Sequence, residues 1–202
     1  MTTPSTPNVL TLTKEHGAAD LDGVTKMGIG ASWDTTAGGG NALLGALRKA
    51  RGTDLDVFAI LMNGKDPVRY AGLDVTDPLQ NGGVTSTGDN QTGRGDGDDE
   101  LIEVTFDRVP PQVTSIVFVC AAYKKGSDFK KAANVSFKVY DSTGGTTQQV
   151  ADIWPSLLGN GNAIAVAKAY RVGASWKLEV INSRGTVKQG DQESLLRFAV
   201  NK

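Results

Sequence analysis

Apolar side chains recur at every second position along much of this 202-residue chain, and that period decides the fold class. In KMGIGASWD, Met27, Ile29, Ala31 and Trp33 fall on one face of an extended segment. In TDLDVFAILMNGKD, Leu55, Val57, Ala59 and Leu61 share one face, while Asp54, Asp56, Phe58 and Ile60 share the other. LIEVTFD repeats the pattern with Ile102, Val104 and Phe106, and VSFKVYD with Val135, Phe137 and Val139. SIVFVCAAY is apolar throughout, as a strand buried on both sides would be. Turn chemistry bounds these runs. Asn63–Gly64 signals a hairpin returning through PVRYAG, VPPQV and STGG read as turns, and Gly173 separates AIAVAKAYRV from SWKLEVINS. The 25 glycines, well above the roughly 7% usual in proteins, fit the same picture of short elements and tight turns.

Helical signals are few. Leu43, Leu44 and Leu47 predict a short helix ending near Gly52, and SDFKKAAN predicts one or two helical turns capped by Ser127. NVLTLTK reads as the first strand and SLLRFAV closes the chain. Eight to ten short strands with a few short helices predict an all-β fold, a β-sandwich of two antiparallel sheets. Residues 1–8 read as a disordered lead, and 9–202 as one domain, since no repeat or second composition regime appears.

Several function classes are disfavoured at this level. A formal net charge of −1 with scattered Lys and Arg argues against nucleic acid. No apolar run approaches the ~20 residues of a membrane span, and the N-terminus lacks the features of a secretory signal, so the expected location is cytoplasmic. A lone cysteine, Cys120 in an apolar strand, reads as a buried small hydrophobe; a lone His16 makes a Ser-His-Asp triad or a His-rich metal site improbable. Trp33, Trp154 and Trp176 read as core anchors, and Asp152 as a helix cap.

The charge distribution is less even than the total. GDNQTGRGDGDDE, residues 88–100, sets five carboxylates against one guanidinium, a net −4 in a chain of −1. The bland reading is a solvated surface loop. Against it, glycines at 93, 95 and 97 free the backbone to curl, and the available donors are oxygen only: carboxylates, an amide, a hydroxyl and carbonyls. Hard cations take that set, Ca²⁺ with six to eight oxygens more readily than Mg²⁺. Asp54 and Asp56, about 7 Å apart along one strand face, would crowd the same charge further if they faced the loop. An EF-hand is excluded: from Asp89 the third, fifth and sixth positions are Gln91, Gly93 and Arg94, and the flanks are strand-like.

The segment GDNQTGRGDGDDELIEV, with TDLDVFAILM and ASWD before it and VPPQVTSIVFVCAAYKKGSDF, ANVSFKVYD and AYRVGASWKLEV after it, resembles the TerD family of tellurite-resistance and stress-response proteins. The resemblance runs from about Lys26 to Val180. It implies a two-sheet β-sandwich with calcium, two ions in number, bound at one end. By motif match the metal-ligand candidates are Asp54, Asp56, Asp89, Asn90, Asp96, Asp98, Asp99 and Glu100, with Asp34 an outlying one; Asp98 and Glu100 would share a side if the chain is extended there. The chain departs from the family pattern in an Ala/Gly/Leu-rich insertion at 36–52, in Gln91, and in a longer tail after Val180. The expected function is therefore a calcium-binding, non-catalytic stress-response or tellurite-resistance protein, with protein partners in an assembly. Two alternatives remain: a metal-dependent hydrolase using the same carboxylates, and a structural interaction module whose acidic loop is solvated.

Overall fold

A computed structural model describes residues 9–35, 54–88, 98–156 and 160–202. Twelve strands lie within them: β1 (Leu10–Thr11), β2 (Ala19–Asp20), β3 (Lys26–Thr35), β4 (Asp56–Asn63), β5 (Asp66–Ala71), β6 (Val84–Ser86), β7 (Glu100–Thr105), β8 (Ser115–Ala121), β9 (Ala132–Asp141), β10 (Gln148–Ile153), β11 (Ala163–Val172) and β12 (Ser175–Gly185). They form two six-stranded sheets, ordered β1-β10-β9-β3-β7-β6 and β2-β12-β11-β8-β4-β5. Every pairing is antiparallel except β1 with β10. This is the β-sandwich that the alternation predicts, with the chain passing repeatedly from one sheet to the other.

The period of two sorts the side chains as expected. Met27, Ile29, Ala31 and Trp33 of β3, Ile102 and Val104 of β7, and Phe137 and Val139 of β9 point inward from one sheet. Val57, Ala59 and Leu61 of β4 and Ile116, Phe118 and Cys120 of β8 meet them from the other. Burying one such aliphatic or aromatic side chain contributes about 1.5–3 kcal/mol. The alternate residues Phe58, Ile60, Met62, Val117, Val119 and Ala121 face outward from the second sheet and are equally buried. They are roofed by a C-terminal helix, α1 (Gln192–Ala199), through Leu195 and Ala199. Asp191 caps α1 by accepting the Ser194 amide at 2.9 Å, and Glu193 pairs with Arg197 one turn on. That roof is why β8 is apolar on both faces.

The edges are blunt. β1 and β2 are two residues long, β6 is three, and β5 carries Pro67, so little unpaired strand is offered to another chain. At the β4–β5 hairpin Asn63 pairs with Asp66, so the two-residue loop is Gly64–Lys65, with Gly64 at φ +60° where such a loop takes glycine.

Some local readings change. NVLTLTK contributes only the two residues of β1, and SLLRFA lies in α1, with Val200 just past its end. The turn after Ser127 is a 3₁₀ turn, Phe129–Lys131, capped by Asp128, whose carboxylate accepts the Lys130 amide at 3.0 Å. Asp152 is within β10 and caps no helix; it accepts a hydrogen bond from Gln149. Trp33 and Trp176 are buried, but Trp154 is 56% exposed, because the strand ends one residue earlier. The lead at 1–8 and the helix expected near 43–52 lie outside the described residues. No helix among the described residues is long and apolar enough to cross a membrane.

Candidate functional site

One end of the sandwich gathers the strand starts that carry acidic residues. Asp56 opens β4 opposite Ala121, and Glu100 opens β7 opposite Ala31. Glu100 alternates in phase with Ile102 and Val104, so a carboxylate points into the interior and is 1% exposed. Its Oε2 accepts the Val57 amide across the gap between the sheets at 2.7 Å. The β4–β5 ladder starts only at Ala59, and Glu100 takes the place that a strand carbonyl would otherwise fill. A bond of this kind to a charged acceptor contributes about 1.5–3 kcal/mol.

Asp56 is fully buried beside that bond. The Cys120 thiol, opposite Val57 on β8, is pushed well above its ordinary pKa, first by burial and then by the Glu100 and Asp56 carboxylates. Both carboxylates thus lie near enough to act on the same thiol, Glu100 from the inner face and Asp56 from the phase of β4 that carries Phe58 and Ile60. Asp54, just before β4, is 8% exposed. Lys124, in the β8–β9 connection, meets its Oδ2 at 2.9 Å. Its Oδ1 is buried and receives no hydrogen bond among the described residues, an arrangement that costs about 1–3 kcal/mol unless another cation or donor approaches.

Asp99 and Asp98 follow a different course. The Asp99 amide donates to the Ala31 carbonyl at 2.7 Å, and its Oδ2 accepts the Trp33 amide at 3.0 Å. Trp33 sits where the β3–β9 register shifts, so its N–H is available for this bond. Asp98 lies on the outer face of the first sheet. Its Oδ1 accepts from the Ser32 hydroxyl and the Lys138 ammonium, each at 3.0 Å, and its Oδ2 from the Tyr140 hydroxyl at 2.5 Å. Burial and the Asp98 carboxylate together push the Tyr140 hydroxyl far above its usual range. Asp98 and Glu100 thus lie on opposite faces, because the chain bends at Asp99 before β7 begins. The extended course that would place them together does not occur.

Asp34 is in β3 opposite Ala133; Asp89, Asn90 and Asp96 lie outside the described residues. The structure brings Asp54, Asp56, Asp99 and Glu100 to one end of the sandwich by these backbone positions, and sets Asp98 behind the sheet. Among the described residues, no three His, Cys, Asp or Glu side chains already form a metal cluster. The donors that meet these acids were not foreseen from sequence: Lys124, Lys138, Tyr140, Ser32 and the amides of Val57 and Trp33. One signal does point to the close approach of Asp98 and Tyr140 to β3. Gly28 and Gly30 alternate with core residues in β3, and glycine inside a strand often marks a close approach. A Cβ on Gly30 would overlap the Asp98 carboxylate, and one on Gly28 would crowd Leu101 and Tyr140.

The lone cysteine is out of reach of solvent and the lone histidine lies away from the acidic end. Cys120 is fully buried with its thiol held protonated, and His16 occupies an exposed 3₁₀ turn, hydrogen-bonded to Thr13. A cleft of about 420 Å³ lies at the far end of the sandwich, bordered by Phe106, Asp107 and Trp176. There Arg171 stacks on Trp176 at 4.4 Å and donates to the carbonyls of Val109 and Val113, a packing arrangement remote from the acids.

The sequence model of the TerD domain matches residues 10–195. Stress response protein SCP2 of Bacillus subtilis (strain 168) is 31% identical over 170 residues, covering 79% of this chain and 82% of that protein. Tellurium resistance protein TerZ of Serratia marcescens is 31% identical over 172 residues, covering 83% and 81%. A crystal structure of a homologue of telluride resistance protein TerD from Streptomyces coelicolor A3(2) superposes with a TM-score of 0.64 over 82% of this chain and 93% of that one. At 16% identity, this last likeness speaks for the fold alone.

Proposed function

The chain belongs to the TerD domain family, and from that membership and its buried carboxylates we propose that it is a calcium-binding, non-catalytic protein of bacterial stress response and tellurium resistance. The observation that carries the calcium reading is the Asp54 carboxylate, on a side chain only 11% exposed, with one oxygen on Lys124 and the other buried without a donor among the described residues. It stands two residues from the fully buried Asp56, which in turn adjoins the amide held by Glu100. Charges removed from water in this way need a counter-charge. A hard divalent cation would supply it with oxygen ligands alone, which is what these side chains offer. Asp54, Asp56, Asp99 and Glu100 are the described residues that would hold it. Two such ions, the number the family resemblance implies, would balance the four carboxylates and join the start of β4 in one sheet to the start of β7 in the other. The buried thiol and the surface histidine favour binding over catalysis.

Thermal melting of the full chain in EDTA and in excess calcium tests the reading. A ligand that binds only the folded state at about 100 times its Kd stabilises by roughly 2.7 kcal/mol. On a chain of this length the melting temperature should rise by about 5–11 °C. Identical melts, together with no heat of binding on calcium titration, would dismiss calcium. A strain lacking the protein, tested for tellurite sensitivity and complemented with wild type or Glu100→Gln, then asks whether the resistance role depends on the same site.

A further inference from the structure

We infer that Asp98 is a positioning residue for the proposed metal site and not one of its ligands: clamped on the outer face of the first sheet, it fixes the path along which Asp99 and Glu100 reach the sandwich end. The inference rests on the calcium reading for its affinity measurement. It starts from the partners of one carboxylate. Ser32 and Lys138 both donate to Oδ1 at 3.0 Å and Tyr140 to Oδ2 at 2.5 Å, so both oxygens are engaged and one full positive charge lies against them. The Asp98 side chain is 11% exposed and Lys138 is 26% exposed, so this is a half-buried cluster and not a loose surface pair.

Position supports the same conclusion. Gly30, Lys138 and Tyr140 alternate with Ile29, Val139 and Phe137, which are in the core, so the clamp occupies the face opposite Glu100. An ion at Asp98 would compete with three donors at once, two on Oδ1 and one on Oδ2, whereas Asp54 has one oxygen on Lys124 and the other without a donor among the described residues. Gly30 keeps the floor clear, since any Cβ there would overlap the carboxylate. From this anchor the chain bends once. Asp99 is then held by Ala31 and Trp33, and Glu100 turns inward to the Val57 amide. Ser32, Lys138 and Tyr140 thus hold the first of the three successive acids, which sets the starting point for the other two.

Calcium titration calorimetry on the full chain separates a positioning role from ligation. Asp98→Asn and Lys138→Met should each weaken binding about 10- to 100-fold, the range for partners that orient metal ligands, with the number of bound ions unchanged. The double variant should be no weaker than either single one, because both remove the same contact. Lys138→Arg should bind within a few-fold of wild type, as it restores the donor. Loss of an ion in Asp98→Asn, or tighter binding in Lys138→Met, would overturn the inference, since a ligand competing with an ammonium predicts both. If wild type takes up no calcium, the calcium reading fails and amide hydrogen exchange in EDTA decides the positioning role. Protection at Asp99 and Val57 should fall by about tenfold or more in Asp98→Asn and Lys138→Met, with β11 and β12 unchanged. Unaltered protection at those two amides would refute it.

Discussion

Glu100 separates two effects that one carboxylate produces at once, a buried hydrogen bond and a buried charge. Its Oε2 meets the Val57 amide at 2.7 Å with the side chain 1% exposed, so water cannot replace it when it is removed. Glu100→Ala leaves that N–H without a partner, at a cost of about 1–3 kcal/mol. On a chain of this length each kcal/mol moves the melting temperature by about 2–4 °C, so the expected fall in EDTA is roughly 2–12 °C. Glu100→Gln is different. Its amide oxygen can still accept from Val57, while the charge next to Asp56 disappears. Removing like-charge repulsion in a dry site offsets the weaker neutral bond, so this variant should melt in EDTA at or above wild type. In excess calcium the order reverses: wild type gains stability, and both variants lose most of the gain. Circular dichroism melts at neutral pH, with EDTA and then with calcium, provide the whole comparison. Two results would refute the reasoning: Glu100→Ala melting like wild type in EDTA, or Glu100→Gln gaining as much from calcium as wild type does.

Other consequences can be checked with simple assays. Leu195→Ala in α1 should cost about 2–5 kcal/mol in urea unfolding, because it opens a cavity over β8. A loss under 1 kcal/mol would mean that α1 contributes little as a roof. Cys120 should resist thiol reagents in the native protein and react only on unfolding, because its thiol is buried and held protonated. The same group gives a pH dependence. The unfolded thiol ionises near about 8.5 while the folded one does not, so the folded state binds more protons there and stability falls as pH rises above that value. A Cys120→Ala variant should show a shallower fall, and equal slopes would assign the loss elsewhere.

Much of the fold was legible in the chain because strand faces are a local property. The alternation in KMGIGASWD, TDLDVFAILM and LIEVTFD correctly separates core from outer residues, and SIVFVCAAY correctly reads as buried on both sides. Errors arose where a residue's surroundings decide its role. Trp154 is exposed although its type favours burial, Asp152 lies in a strand although its type favours a cap, and the 3₁₀ turn is capped by Asp128 one residue after Ser127.

The acidic residues show where the division falls. Sequence alone determined which side chains carry the charge, that their ligand atoms are oxygen, and that Val57 shares a strand phase with core residues, because composition and side-chain alternation are set by neighbouring covalent geometry. Tertiary structure decided how each charge is met. Lys138 reaches Asp98 across 40 residues, Ser32 across 66, and Glu100 reaches Val57 across 43. Those distances close only when β9, β3 and β7 pair in one register, the second sheet stacks on them and the chain bends at Asp99. That bend sends Asp98 to the outer face and Glu100 into the core, a separation that no local pattern in GDGDDE encodes.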